Sequence, residues 1–103
     1  MKVTISSGMC SIDDVMRDEI RSRIYSALSR FSPSIDEITV RIGDVVGTRG
    51  CSQQLCRLSV RMKRLGSFLV ESVEEETLDA VSRAAKRAEK QVLRILDRRH
   101  DVT

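Results

Sequence analysis

Aromatic residues are almost absent from this chain. Of its 103 residues only Tyr25, Phe31 and Phe68 carry an aromatic ring, and there is no tryptophan. The core must therefore be built from Val, Ile, Leu and Met, and stacking on bases cannot be a main mode of binding. Histidine occurs once, as His100 close to the C-terminal end, where it cannot easily be held against a nucleophile or a metal. Cysteine occurs three times, at Cys10, Cys51 and Cys56. Cys51 and Cys56 have four residues between them, with no second pair and no histidine nearby. A structural zinc site needs four ligands, so buried or incidental thiols are the expectation. No apolar run approaches membrane-spanning length, and MKVTISSGMC has no continuous apolar segment of the signal-peptide kind. The odd thiol count and the missing secretory segment point to a reducing cytosol, hence a cytoplasmic protein with no membrane partner. Gly47 to Gly50 lacks the spacing of a phosphate-binding loop. These absences together predict a non-enzyme with no cofactor, no metal and no small-molecule substrate.

What the chain does have is charge and periodicity. Charged residues make up 32% and apolar residues 41%, with a formal net charge of +3. That composition describes a globular protein with a busy surface, in which the clustering of basic residues matters more than their number. Length predicts a single domain over residues 1–103, large enough to bury roughly two-thirds of its unfolded surface.

Residues 2–7 alternate, with Val3 and Ile5 on one side, and read as a short half-buried strand ended by Gly8. Ser11 followed by Asp14 approximates a capping box. Beyond it Met16, Ile20, Ile24, Ala27 and Phe31 step by three and four, with Leu28 beside them, as in an amphipathic helix stopped by Ser32-Pro33-Ser34. Residues 36–44 alternate again, with Ile38, Val40 and Ile42 inward. A turn-rich Gly47-Thr48-Arg49-Gly50 follows. Residues 55–64 form a longer strand with Cys56, Leu58, Val60 and Met62 inward. Leu65-Gly66-Ser67 is hairpin-sized, and residues 68–72 give a fourth strand with Phe68 and Val70 inward. Ser72 and Glu75 suggest a second capping box. Residues 100–103 read as a frayed end.

The predicted fold is α+β, in the order β-α-β-β-β-α, with a four-stranded mixed sheet and two helices packed on one face. The helical crossover makes the first strand pair parallel, and short loops make the later pairs antiparallel. The expected core includes Ile38, Val40, Ile42, Leu58 and Val60 from the sheet and Leu78, Val81, Ala85 and Val92 from the last helix.

That last helix, residues 74–99, carries the clearest pattern. Leu78, Val81, Ala85, Ala88, Val92 and Leu96 form an apolar stripe, and Arg83, Arg87, Lys90, Arg94 and Arg98 form a basic one nearly opposite, flanked by Lys86. The basic stripe fits either a solvated face or a face for an anionic partner. On the outer side of the sheet, Arg41, Arg57, Arg61 and Lys63 leave the same two readings open. A single-strand binder working through its sheet would carry aromatics there, whereas these positions carry arginine and serine. A double-stranded-RNA module concentrates basic residues at the start of its last helix, where this chain has Glu74, Glu75 and Glu76.

Taken together, VTISSG at the start, IDDVMRDEIRSRIYSALSRF in the first helix, DVVGTRGCSQQLCRLSVRM in the middle and TLDAVSRAAKRAEKQVLRIL at the end resemble the ribosome hibernation family. That family includes protein Y, hibernation promoting factor and the proteins once called sigma-54 modulation proteins. The resemblance covers nearly the whole chain as a pattern of elements and scattered residues, in a short, single-domain form. It implies a bacterial cytosolic protein that binds the small ribosomal subunit and its rRNA between head and body and inhibits translation. Arg17 and Arg23 fall on the basic positions of the family's first helix, and Arg87, Lys90 and Arg94 on the basic run of its last. Ser26 replaces a typical lysine, Leu78 stands where many members have tyrosine, and Ser82 where many have an acid. The expected RNA-binding set is Arg17, Arg23, Arg83, Lys86, Arg87, Lys90 and Arg94. A general structured-RNA binder and a protein-interaction module using the basic face are the alternatives.

Overall fold

The structure, a computed structural model, describes residues 1–8, 12–46, 50 and 52–101. Its elements are β1 (Lys2–Ser7), α1 (Asp14–Leu28), a 3-10 segment (Ser29–Ser34), β2 (Ile35–Val46), β3 (Ser52–Met62), β4 (Gly66–Glu74) and α2 (Thr77–Asp101). The sheet runs in the order β1-β2-β3-β4, with β1 parallel to β2 and the other pairs antiparallel. The predicted architecture is therefore the observed one, and the crossover through α1 is what makes the first pair parallel.

Alternation decides which side of the sheet is covered. Ile5, Ile38, Val40, Ile42, Cys56, Leu58, Val60 and Met62 point to one face and are buried there beneath both helices. The helices supply Ile20, Ile24 and Leu28 from α1 and Ala80, Val81, Ala84, Ala85, Ala88 and Val92 from α2. Every expected core residue is buried except Leu78, which is half-buried at the edge of the same cluster. Burying each large aliphatic side chain contributes about 1.5–3 kcal/mol, which makes this face the dominant stabilising feature. The alanines on α2 have no bulk to hold the helix away, so it can lie close to β3 and β4 and to α1.

Several local expectations shift. The cap of α1 is Asp13, whose Oδ1 accepts from the Met16 amide at 2.8 Å; Ser11, the expected cap, lies outside the described residues. α1 ends at Leu28, and Phe31 and Pro33 belong to the 3-10 segment. Ser72 and Glu75 form no capping box: Ser72 is buried within β4, which continues to Glu74 before the helix starts at Thr77. The hairpin between β3 and β4 turns at residues 63–65 rather than 65–67. There Arg64 takes φ 63° and Gly66 φ 81°, a conformation glycine adopts without a Cβ penalty. The Lys63 amide donates to the Ser34 carbonyl at 2.9 Å and ties this turn to the 3-10 segment. At the other end α2 stays helical through Asp101, beyond the expected fraying point, while residues 102–103 lie outside the described residues. So do Cys10, Cys51 and the 47–49 part of the expected turn. No described helix is long and apolar enough to cross a membrane.

Candidate nucleic-acid interface

α2 forms because its sequence is rich in alanine, leucine and long straight side chains, the strongest helix formers. Packing its alanine stripe inward turns the opposite side outward. There Lys86, Lys90, Arg94 and Arg98 are exposed, and none makes a hydrogen bond or ion pair among the described residues. They form a cationic ridge whose charge is uncompensated by contact.

The flanks of the helix behave differently. Towards β4, the Nε of Arg83 lies 2.8 Å from a carboxylate oxygen of Glu74, and Arg87 donates from Nη1 to the Glu71 carbonyl at 2.6 Å. Towards α1, Arg23 reaches across the helix pair and donates to the Ser82 hydroxyl at 2.7 Å. Arg30 pairs with Glu89 at 3.6 Å and lies 4.6 Å from the centre of the Phe31 ring. Between the helices runs an open groove of about 410 Å³ floored by small residues such as Ser26, Ala27 and Ala85. Its walls carry both Arg23 and Lys86 and the carboxylates of Glu19 and Glu89, so the groove itself has no strong preference for an anion.

The seven predicted residues therefore divide. Lys86, Lys90 and Arg94 stand on the ridge. Arg23 and Arg87 hold neutral acceptors, which orient the guanidinium and leave its charge in place. At position 82 serine thus matters: an acid there would cancel Arg23, and the hydroxyl does not. Arg83 is neutralised by Glu74. Arg17 is not brought to the others at all. It is half-buried, and its Nη1 donates to the Ile5 carbonyl at 3.0 Å on β1, at the opposite end of the strand order from β4.

The outer sheet face is less cationic than its sequence suggests. Arg57 pairs with Glu71 at 3.4 Å, and Arg61 with Glu37 at 3.5 Å and Asp36 at 3.9 Å. Lys63 sits in the turn rather than on the strand. Leu69 and Val73, which the sequence reading did not place on this side, are 53% and 42% exposed there. Alternation against the inward Phe68 and Val70 already gives Leu69, and continuing it to the true end of β4 gives Val73.

Among the described residues no group of three His, Cys, Asp or Glu is placed to hold a metal ion. Burial pushes the Cys56 thiol up to about 12, which keeps it protonated and unreactive at neutral pH.

Solved structures place this arrangement. The chain matches the N-terminal domain of Protein Y from Thermus thermophilus with a TM-score of 0.73 at 22% identity, covering 91% of this chain and 98% of that one. The chain has the Protein Y fold. It also matches a ribosomal subunit interface protein from Coxiella burnetii, with a TM-score of 0.76 at 10% identity, covering 91% of this chain and 96% of that one. No protein-family model and no curated protein matches the sequence. The fold likeness includes a member of the family that the sequence resembles, since Protein Y is one of the members named above. At these identities side chains on the surface are free to differ, so the sorting of basic residues described here belongs to this chain.

Proposed function

We propose that this protein binds the small ribosomal subunit through the outer ridge of α2 and thereby inhibits translation. The observation that carries the reading is the row Lys86, Lys90 and Arg94: exposed cations, without contact partners among the described residues, on a fold shared with a ribosomal subunit interface protein. Cations spaced along one helix face suit the phosphates of structured RNA, because phosphate contacts give affinity and position without reading bases. The scarcity of aromatics supports the same division, since base stacking is not on offer. Arg23 and Arg87, held from the sides, extend the ridge at its two flanks.

Sedimentation of a lysate containing the tagged protein tests this, with and without ribonuclease. The expected result is co-migration with small subunits, loss of that co-migration after ribonuclease treatment, and slowed synthesis when the protein is added to a cell-free translation system. Binding that bulk RNA competes away as well as subunits do would instead indicate a general RNA binder. Capture that survives ribonuclease would indicate a protein partner for the basic face. Absence from every ribosomal fraction would refute the proposal.

A further inference from the structure

The outer face of the sheet carries a second feature that RNA binding by α2 does not use. Strand register places Arg41 directly opposite Arg57, and Arg57 opposite Glu71. Like charges directly opposed across strands repel, and the one carboxylate of this row sits on the far side of Arg57. Arg41 is exposed with no ion pair among the described residues, so the row is one negative charge short. The Nε of Arg57 is buried and donates to nothing among the described residues. Its present pose is therefore only partly satisfied, held by the 3.4 Å contact with Glu71. Turning towards another carboxylate would sacrifice little.

Beside this pair the face is concave. Gly8 and Gly43 have no side chains, and a Cβ added at either would meet nothing within 4 Å. The resulting depression of about 250 Å³ is walled by Arg41, Arg57 and Leu55. Leu55 is opposite Val73 in the register, and Leu69 lies two outer-face rows further along, beyond the Arg57–Glu71 pair. Val73 and Leu69 are exposed aliphatics on the same side as the arginines. Cationic hydrogen-bond donors thus border an apolar patch of Leu55 and Val73 on an unpartnered sheet face.

We propose that this face is a protein-docking surface for an acidic, aliphatic segment of a partner chain. A carboxylate of that segment would lie between Arg41 and Arg57, where a planar guanidinium can bind it with two hydrogen bonds. An adjoining aliphatic side chain would cover Leu55 and Val73. Charge complementarity selects this occupant. Nucleic acid would leave Leu55 and Val73 uncovered and would find no aromatic on this face to stack on. A second copy packed face to face would bring the same unbalanced Arg41 row against itself, because a two-fold interface is self-opposed. The surface lies on the side of the sheet away from both helices, so it does not depend on whether α2 meets RNA.

The test uses the intact chain, isotope-labelled for NMR, and three short synthetic probes. One is a peptide alternating leucine and glutamate, one is the same peptide with lysine for glutamate, and one is a single-stranded oligouridylate. The acidic peptide is expected to shift amide signals of Gly43, Leu55, Arg57 and Val73, and the lysine peptide to leave them in place. Arg41→Ala should weaken the acidic peptide by roughly ten-fold or more, the scale of losing one close charge pair at an interface. Val73→Ser, which changes no charge, should weaken it as well. Both positions are exposed on the outer side, so the fold is expected to persist, and the dispersed amide spectrum of each variant checks that. The proposal fails if no probe moves these signals, or if the acidic peptide perturbs only α2. It fails equally if the oligouridylate moves the sheet-face signals more than the peptide does, or if both variants bind as the parent does.

Discussion

Cys56 and Ser72 face each other across β3 and β4 on the inner side of the sheet. Each is buried, and they respond to burial in different ways. The Ser72 hydroxyl has no hydrogen-bond partner among the described residues, so it has given up water without a replacement. Ser72→Ala removes that group and is expected to raise the unfolding free energy by up to about 1 kcal/mol. A denaturation midpoint that falls on this substitution would show that the hydroxyl has an acceptor after all. The Cys56 thiol is held protonated by desolvation, up to about 12 from an ordinary 9.0. A group whose folded pKa is raised contributes stability that is intact below the unfolded value and is lost as pH climbs towards the folded one. Between 9.0 and about 12 the unfolded thiol ionises while the folded one does not. Stability should therefore fall by up to about 1.4 kcal/mol per pH unit from this group alone. Comparing the parent with Cys56→Ala across that window isolates the thiol from other alkaline titrations. The parent should lose stability faster, and equal slopes would contradict the assignment.

Two of the arginines expected to bind RNA also reach the edge strands of the sheet. Arg17 from α1 donates to the Ile5 carbonyl on β1, and Arg87 from α2 to the Glu71 carbonyl on β4. These are the first and last strands in the sheet order. An open edge invites another chain to add a strand, and a charged side chain over it is a common defence. Replacing both with alanine should cost modest stability, about 1 kcal/mol for each hydrogen bond lost, while promoting self-association visible by light scattering. A double variant that stays monomeric at high concentration would show that the edges are protected in some other way.

The same elements show how far the sequence could be read. Alternation over β1, β2 and β3 and the three-four spacing over α2 specify faces without tertiary information, and those assignments stand. The register of Ser72 opposite Cys56 is a tertiary fact. β4 runs past a local capping signal to Glu74, which adds Val73 to the outer face, whereas Leu69 already lay within the expected strand, opposite in facing to Phe68 and Val70. The basic stripe was legible as a stripe. Which members met Glu74 or Glu71 was not, because that depends on how α2 folds back over β4, and the Arg23–Ser82 contact depends on how the two helices pack.

At the scale of the whole molecule, the two helices cover one side of the sheet and present a ridge of exposed cations outward. The central claim is that Lys86, Lys90 and Arg94 meet phosphate on the small ribosomal subunit. The most direct measurement is the affinity for purified small subunits over a series of salt concentrations. It compares the parent with the triple reversal Lys86→Glu, Lys90→Glu and Arg94→Glu. A matched control reverses Lys2, Lys63 and Arg64, which are exposed and lie off α2. Circular dichroism on each variant first establishes that the helices persist. Binding through phosphate falls steeply with salt because counterions are released, and the steepness counts the contacts. The ridge variant should bind much more weakly, with the magnitude of its salt slope reduced by roughly two to three units, while the control keeps most of the parent's slope. A folded ridge variant that retains the parent's affinity and slope would contradict the account.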